Sequence, residues 1–174
     1  MNLFRKKKAK LESLDIYVTL KRFDFYFDYG LIGEDHFLNS YIEEIDKQKK
    51  DGFFLHVKLP LFNFYLIGCS KNAVGGWKSL ETAIRAHEET HFLDRYGKLG
   101  ILEKRMKNKG KNISFHSIED REVRANIGCL YALDVQGRIC EDNEVDEDRI
   151  SLGSLRKFTQ DYSLDEAMEI YFGR

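Results

Sequence analysis

Apolar and polar positions follow two different rhythms along this chain, and the change between them separates a strand-rich first half from a helical second half. Asp15-Ile-Tyr-Val-Thr-Leu-Lys-Arg-Phe-Asp-Phe-Tyr-Phe27 is dense in β-branched and aromatic residues and predicts one bent strand or two short ones. From Glu34 to Lys50, Phe37, Leu38, Tyr41, Ile42 and Ile45 recur at helical spacing, so an amphipathic helix is expected there. Phe53–Leu59 and Phe62–Gly68 predict two more strands on either side of Pro60, joined as a hairpin. Asn72-Ala-Val-Gly-Gly76 then reads as a flexible turn. Beyond it the period lengthens. Ser79 to Gly97 predicts a helix with Ser79 as N-cap and Gly97 ending it, and Leu80, Ile84, His87 and His91 share one face. After the Lys-rich stretch 104 to 111, Ser117-Ile-Glu-Asp120 has a capping pattern, and Val123, Ile127, Leu130 and Leu133 extend a second helix over about 118 to 134. Ser154–Phe158 and Ser163–Phe172 predict C-terminal helices, the last opened by a capping box of Ser163 with Glu166 and suited to docking on the body or covering a cleft.

Composition narrows the class. With 174 residues, 43% hydrophobic and 33% charged, the chain is long enough to bury a core as one domain, 1 to 174, with 1 to 11 as a basic N-terminus. A net charge of −1 argues against a general nucleic-acid binder. The charge is unevenly placed, with Arg5-Lys-Lys-Lys8 at one end and Glu141-Asp-Asn-Glu-Val-Asp-Glu-Asp148 near the other; such blocks read as solvated tails or loops. Cys69, Cys129 and Cys140 are odd in number and lack metal-knuckle spacing, which fits a reducing compartment. No apolar run reaches membrane-spanning length, so the expected location is cytoplasmic, with no membrane partner.

The candidate chemistry lies in His87-Glu88-Glu89-Thr90-His91. Positions i and i+4 share a helical face, about 6 Å apart at Cβ, so two imidazoles can close on one ion while Glu88 serves as base. A chance HExxH arises in roughly one such sequence in 80, so the neighbouring residues must decide what it means. On the second helix Glu122-Val-Arg-Ala-Asn126 places a carboxylate and an amide four residues apart. Glu122 can be a third ligand, and Asn126 can accept a hydrogen bond from the far nitrogen of a liganding histidine. Glu119 shares that face, and periodicity does not separate it from Glu122.

HExxH followed some thirty residues later by Glu-x-x-Ala-Asn on a second helix resembles the gluzincin zinc metallopeptidases, among them the ImmA/IrrE-like and Ste24-like peptidases. The resemblance covers roughly 79 to 134. It implies an α+β, zincin-like fold, with a small antiparallel sheet packed on the motif helix, a second ligand-bearing helix and C-terminal helices. It implies Zn2+ held by His87, His91 and Glu122, Glu88 as catalytic base, and Asn126 as the partner of a ligand, where several of these peptidases have Asp. It favours Glu122 over Glu119, whose carboxylate a helix dipole already explains. The implied activity is hydrolysis of peptide bonds in a restricted intracellular protein substrate. His116, Tyr96, Tyr131, Tyr162 and Tyr171 are the candidates for a donor assisting the oxyanion. Two rival readings stand beside it: a zinc-binding regulatory or sensor module without peptidase activity, and an interaction domain whose histidines lie in the core.

Overall fold

In a computed structural model the described residues are 16–22, 25–27, 52–58, 63–70, 75–159 and 162–173. The predicted helix from Glu34 to Lys50 and the basic N-terminus lie outside them. The chain divides into two compact units, Met1–Gly75 and Gly76–Arg174. Together they make an α+β chain, and no helix among the described residues is long and apolar enough to cross a membrane.

The first unit holds a four-stranded sheet in the order β2-β1-β4-β3, formed by β1 (Ile16–Arg22), β2 (Phe25–Phe27), β3 (Gly52–Lys58) and β4 (Asn63–Ser70). All of its pairings are antiparallel. Of the two readings of the first aromatic stretch, two short strands is the one observed, with Leu20 opposite Phe27 and Arg22 opposite Phe25. The expected hairpin runs from Gly52 opposite Cys69 to Lys58 opposite Asn63.

The second unit is built on two helices, α1 (Lys78–Arg95) and α3 (Arg121–Val135), packed against each other along their length. The short α2 (Leu99–Lys107) follows α1, and α4 (Leu152–Thr159) and α5 (Ser163–Phe172) close the chain, α5 against α3. The expected apolar stripe of α3 is the core: Val123, Ile127, Leu130 and Leu133 are all fully buried. Phe92, Leu93, Met106 and Leu164 join it from α1, α2 and α5. Helix α1 ends as its sequence predicts. Gly97 takes a left-handed φ of 63°, its N–H donates to Asp94 O at 3.0 Å, and Lys98 N–H donates to Leu93 O at 2.7 Å, the paired bonds of a Schellman stop.

Several starts differ from expectation. The cap of α1 is Trp77 and not Ser79, which lies inside the first turn and is fully buried. The reason is long-range: Lys78 N–H donates to Glu147 O at 2.8 Å, so a backbone carbonyl from the acidic stretch satisfies a helix-start donor without a side-chain cap. Likewise α3 begins at Arg121, capped by Asp120, whose Oδ1 accepts from Glu122 N–H at 2.7 Å. Ser117 instead ends a 3-10 turn, Phe115–Ser117, and donates to Ser114 O at 2.8 Å. Arg124 Nη1 donates to the carbonyls of Ile118 and Glu119, which keeps that segment out of the helix and removes Glu119 from any helical first turn. The acidic stretch is exposed but ordered by ion pairs. Asp148 meets Lys78 at 3.0 Å and Asp146 meets Arg149 at 2.9 Å, and these cations hold both carboxyls below their ordinary values. On either side of it, β5 (Ile139–Cys140) and β6 (Ile150–Ser151) form a short parallel bridge.

Candidate metal centre

The helix α1 turns His87 and His91 to one side, one turn apart, with ring centroids 4.6 Å apart and planes at 84°. The first turn of α3 brings Glu122 to them. His87 Nε2 and His91 Nε2 are 3.0 Å apart, and Glu122 Oε2 lies 3.3 Å from each. Three donors on a zinc ion at bond lengths of about 2.0–2.1 Å stand roughly 3.3–3.4 Å apart at tetrahedral angles. The observed triangle therefore has the size of one face of such a tetrahedron, and two imidazoles with one carboxylate are a donor set zinc accepts. Among the described residues this is the His, Cys, Asp and Glu group whose ligand atoms converge. Glu119 takes no part in it and is exposed before the cap of α3. Glu88 follows His87 on α1 and is half-buried.

Burial is graded across the triangle. The His91 side chain is 9% exposed, while that of Glu122 is 51% exposed, so the group opens to solvent on the carboxylate side. Burial, and next the neighbouring His87, hold His91 below its usual pKa against the pull of Glu122, which favours the neutral imidazole that a metal requires.

The tautomer of His87 is set by a neighbour. Its Nδ1–H donates to Asn126 Oδ1 at 3.0 Å, which leaves the Nε2 lone pair facing His91 and Glu122. Asn126 is 2% exposed, and its Nδ2 donates to Ser163 Oγ at 2.8 Å. His91 Nδ1 is buried and has no hydrogen-bond partner among the described residues, so the asparagine governs one imidazole of the two.

Two features of the approach between α1 and α3 were not read from the sequence. Gly128 is buried in α3 against Thr90, where a Cβ would lie 1.8 Å from Thr90 Oγ1. Only a glycine lets the helices come this close, and Thr90 is the residue just before His91. The second feature is the pairing of Asp94 with Arg124 through both Nε and Nη2, at 3.1 and 2.7 Å, which ties the end of α1 to the start of α3. A glycine inside an otherwise apolar helix was the available signal for the first.

The oxyanion candidates separate. Tyr171 is 2% exposed and donates to Asp134 Oδ2 at 2.7 Å, so its hydroxyl is committed elsewhere. His116 is exposed and lines a cavity of about 220 Å³ with Asp94, Phe115 and Arg124. The Tyr96 ring lies 5.2 Å from that of Phe92 and tilted to it by 48°, and Tyr131 is half-buried on α3. Tyr162 is 93% exposed and directly precedes Ser163.

No protein-family model, no curated protein and no solved structure matches this chain, so the meaning of the centre rests on its own residues.

Proposed function

We propose that this chain is a zinc-dependent peptidase of the HExxH, gluzincin-like kind, acting on peptide bonds of a restricted protein substrate. The observation that carries the reading is the convergence of His87 Nε2, His91 Nε2 and Glu122 Oε2 within 3.0 to 3.3 Å. On this reading the α+β chain is zincin-like, with α1 as motif helix and α3 as ligand-bearing helix. Zinc held by the three residues supplies Lewis acidity and lowers the pKa of water to about 7. Glu88 is the base: its carboxylate takes a proton from water and returns it to the leaving amine. Asn126 keeps His87 in the tautomer that presents Nε2. The exposed side of Glu122 leaves an approach for an extended peptide.

The test compares zinc-loaded wild type with Glu88→Gln, which keeps the shape of the side chain and removes the base. Each is incubated with a cell lysate, and newly formed protein N-termini are identified by mass spectrometry. The expected result is equal zinc content with new termini from the wild type alone, cleavage by the variant being slower by roughly 10²- to 10⁴-fold. Equal cleavage by both proteins would contradict the assigned base. Zinc retention with no cleavage by either would favour a regulatory zinc module.

A further inference from the structure

The last helix meets the metal centre's surroundings through a side chain at its start. Ser163 is the first residue of α5, and its Oγ accepts a hydrogen bond from Asn126 Nδ2 at 2.8 Å, while Asn126 Oδ1 accepts from His87 Nδ1–H at 3.0 Å. The capping box expected of Ser163 gives the cap position to Tyr162, and the serine oxygen serves a residue 37 positions earlier.

We propose that Ser163 is a positioning residue of the metal centre, holding the Asn126 amide in the orientation that keeps His87 Nε2 unprotonated and so coupling metal affinity to the seating of the C-terminal helix. The proposal rests on His87 being a ligand, and its consequences for the amide and the tautomer do not need the metal. Asn126 is 2% exposed, so protein groups decide which way its amide faces, and removing the Ser163 hydroxyl takes away the oxygen that its Nδ2 meets at 2.8 Å. With the amide reversed, its NH2 would face His87 Nδ1, and the imidazole proton would move to Nε2, in the middle of the ligand triangle. A serine hydroxyl can accept or donate, and the accepting arrangement is the one compatible with a metal. The far end of α5 is seated independently, by Tyr171 OH on Asp134 Oδ2 at 2.7 Å and by Lys111 Nζ on Tyr171 O at 3.1 Å. Seating and positioning can therefore be perturbed separately.

The experiment uses full-length wild type, Ser163→Ala, Ser163→Thr and, as a control for seating alone, Tyr171→Phe. Three quantities are read: zinc affinity by competition with a chromophoric chelator, thermal midpoint, and the His87 tautomer in metal-free protein by long-range 1H–15N NMR. Ser163→Ala is expected to bind zinc about 10-fold more weakly, the lower end of the effect typical of such partners, and to shift His87 towards the Nε2–H form. Ser163→Thr should restore both. Tyr171→Phe should lower the thermal midpoint and leave the affinity within about 2-fold, against the 10-fold expected of the serine variant. Wild-type affinity and tautomer in Ser163→Ala would overturn the proposal, as would an equal loss of affinity in Tyr171→Phe. Should the wild type itself fail to take up zinc, the metal reading falls, and the tautomer in the metal-free variants alone upholds or overturns the positioning role.

Discussion

Replacing Gly128 by alanine adds one methyl group at the tightest point between the two ligand-bearing helices. The new Cβ would lie 1.8 Å from Thr90 Oγ1, 2.9 Å from its Cβ and 3.2 Å from its Cγ2, whereas real Cβ atoms essentially never approach closer than 3.0 Å. The side chain of Thr90 cannot step aside. It is 2% exposed and its hydroxyl donates to Ala86 O at 2.8 Å, and rotation would only bring the bulkier methyl towards α3. The helices must therefore separate by something on the order of 1 Å, several times the roughly 0.2 Å tolerance of a metal–ligand distance. Stability should fall by no more than about 2 kcal/mol, because overpacking costs about 1–3 kcal/mol while replacing a mid-helix glycine by alanine returns about 1. Zinc affinity should fall at least 10-fold, about 1.4 kcal/mol. Adding Thr90→Ala removes the 1.8 and 3.2 Å contacts and leaves the one at 2.9 Å, so the double variant should regain most of the affinity. The assay is chelator competition on the two single variants and the double, with thermal denaturation of the metal-free proteins alongside. Wild-type affinity in Gly128→Ala, or a second substitution that adds to the loss, would refute the claim that this close approach sets the ligand geometry.

Glu122→Ala should cut zinc retention under a competing chelator severely, whereas Glu119→Ala, exposed and outside the helix, should change stability by less than about 0.5 kcal/mol and retention not at all. The reverse pattern would move the third ligand while leaving both histidines in place. Asn126→Asp should keep or tighten zinc binding, since a carboxylate accepts the His87 proton more strongly, and Asn126→Leu should weaken binding by roughly 10- to 100-fold; equal affinities in the two would show that the hydrogen bond is immaterial. The Cys129 thiol, 3% exposed and pushed up by burial to about 12, should resist alkylation at neutral pH until the protein unfolds. Peptide mapping that finds it modified in the native protein would contradict the packing of α3.

What could be read from the sequence was whatever local periodicity carries. The four-residue spacings placed His87 with His91 and Glu122 with Asn126, and the glycine stop at Gly97 follows from the one residue type at ease with its φ. The strands in the first half were legible because runs of β-branched and aromatic residues fit a pleated, half-buried surface. What escaped depended on hydrogen-bond partners that the cap patterns do not name. The start of α1 is set by Glu147 O, the start of α3 by the hold of Arg124 on the carbonyls before it, and the duty of Ser163 by Asn126. Each of these local cap signals was chemically sound; at α1 and α5 it lost to a tertiary hydrogen bond, and at α3 to the nearer cap of Asp120 and the hold of Arg124. Helix α2 was hidden differently. Its buried positions, Leu102 and Met106, are few among lysines and arginines, so the apolar spacing was too sparse to mark a helix. Gly128 reads in isolation as a defect in helix propensity, and its reason is Thr90 on another helix.

The central claim is that His87, His91 and Glu122 hold a zinc ion, and the most direct test is the zinc content of the full-length protein purified without added metal. The account predicts about one equivalent per chain, lost when either histidine or Glu122 is replaced by alanine. Less than roughly a tenth of an equivalent in the wild type, even after zinc is supplied, would contradict it.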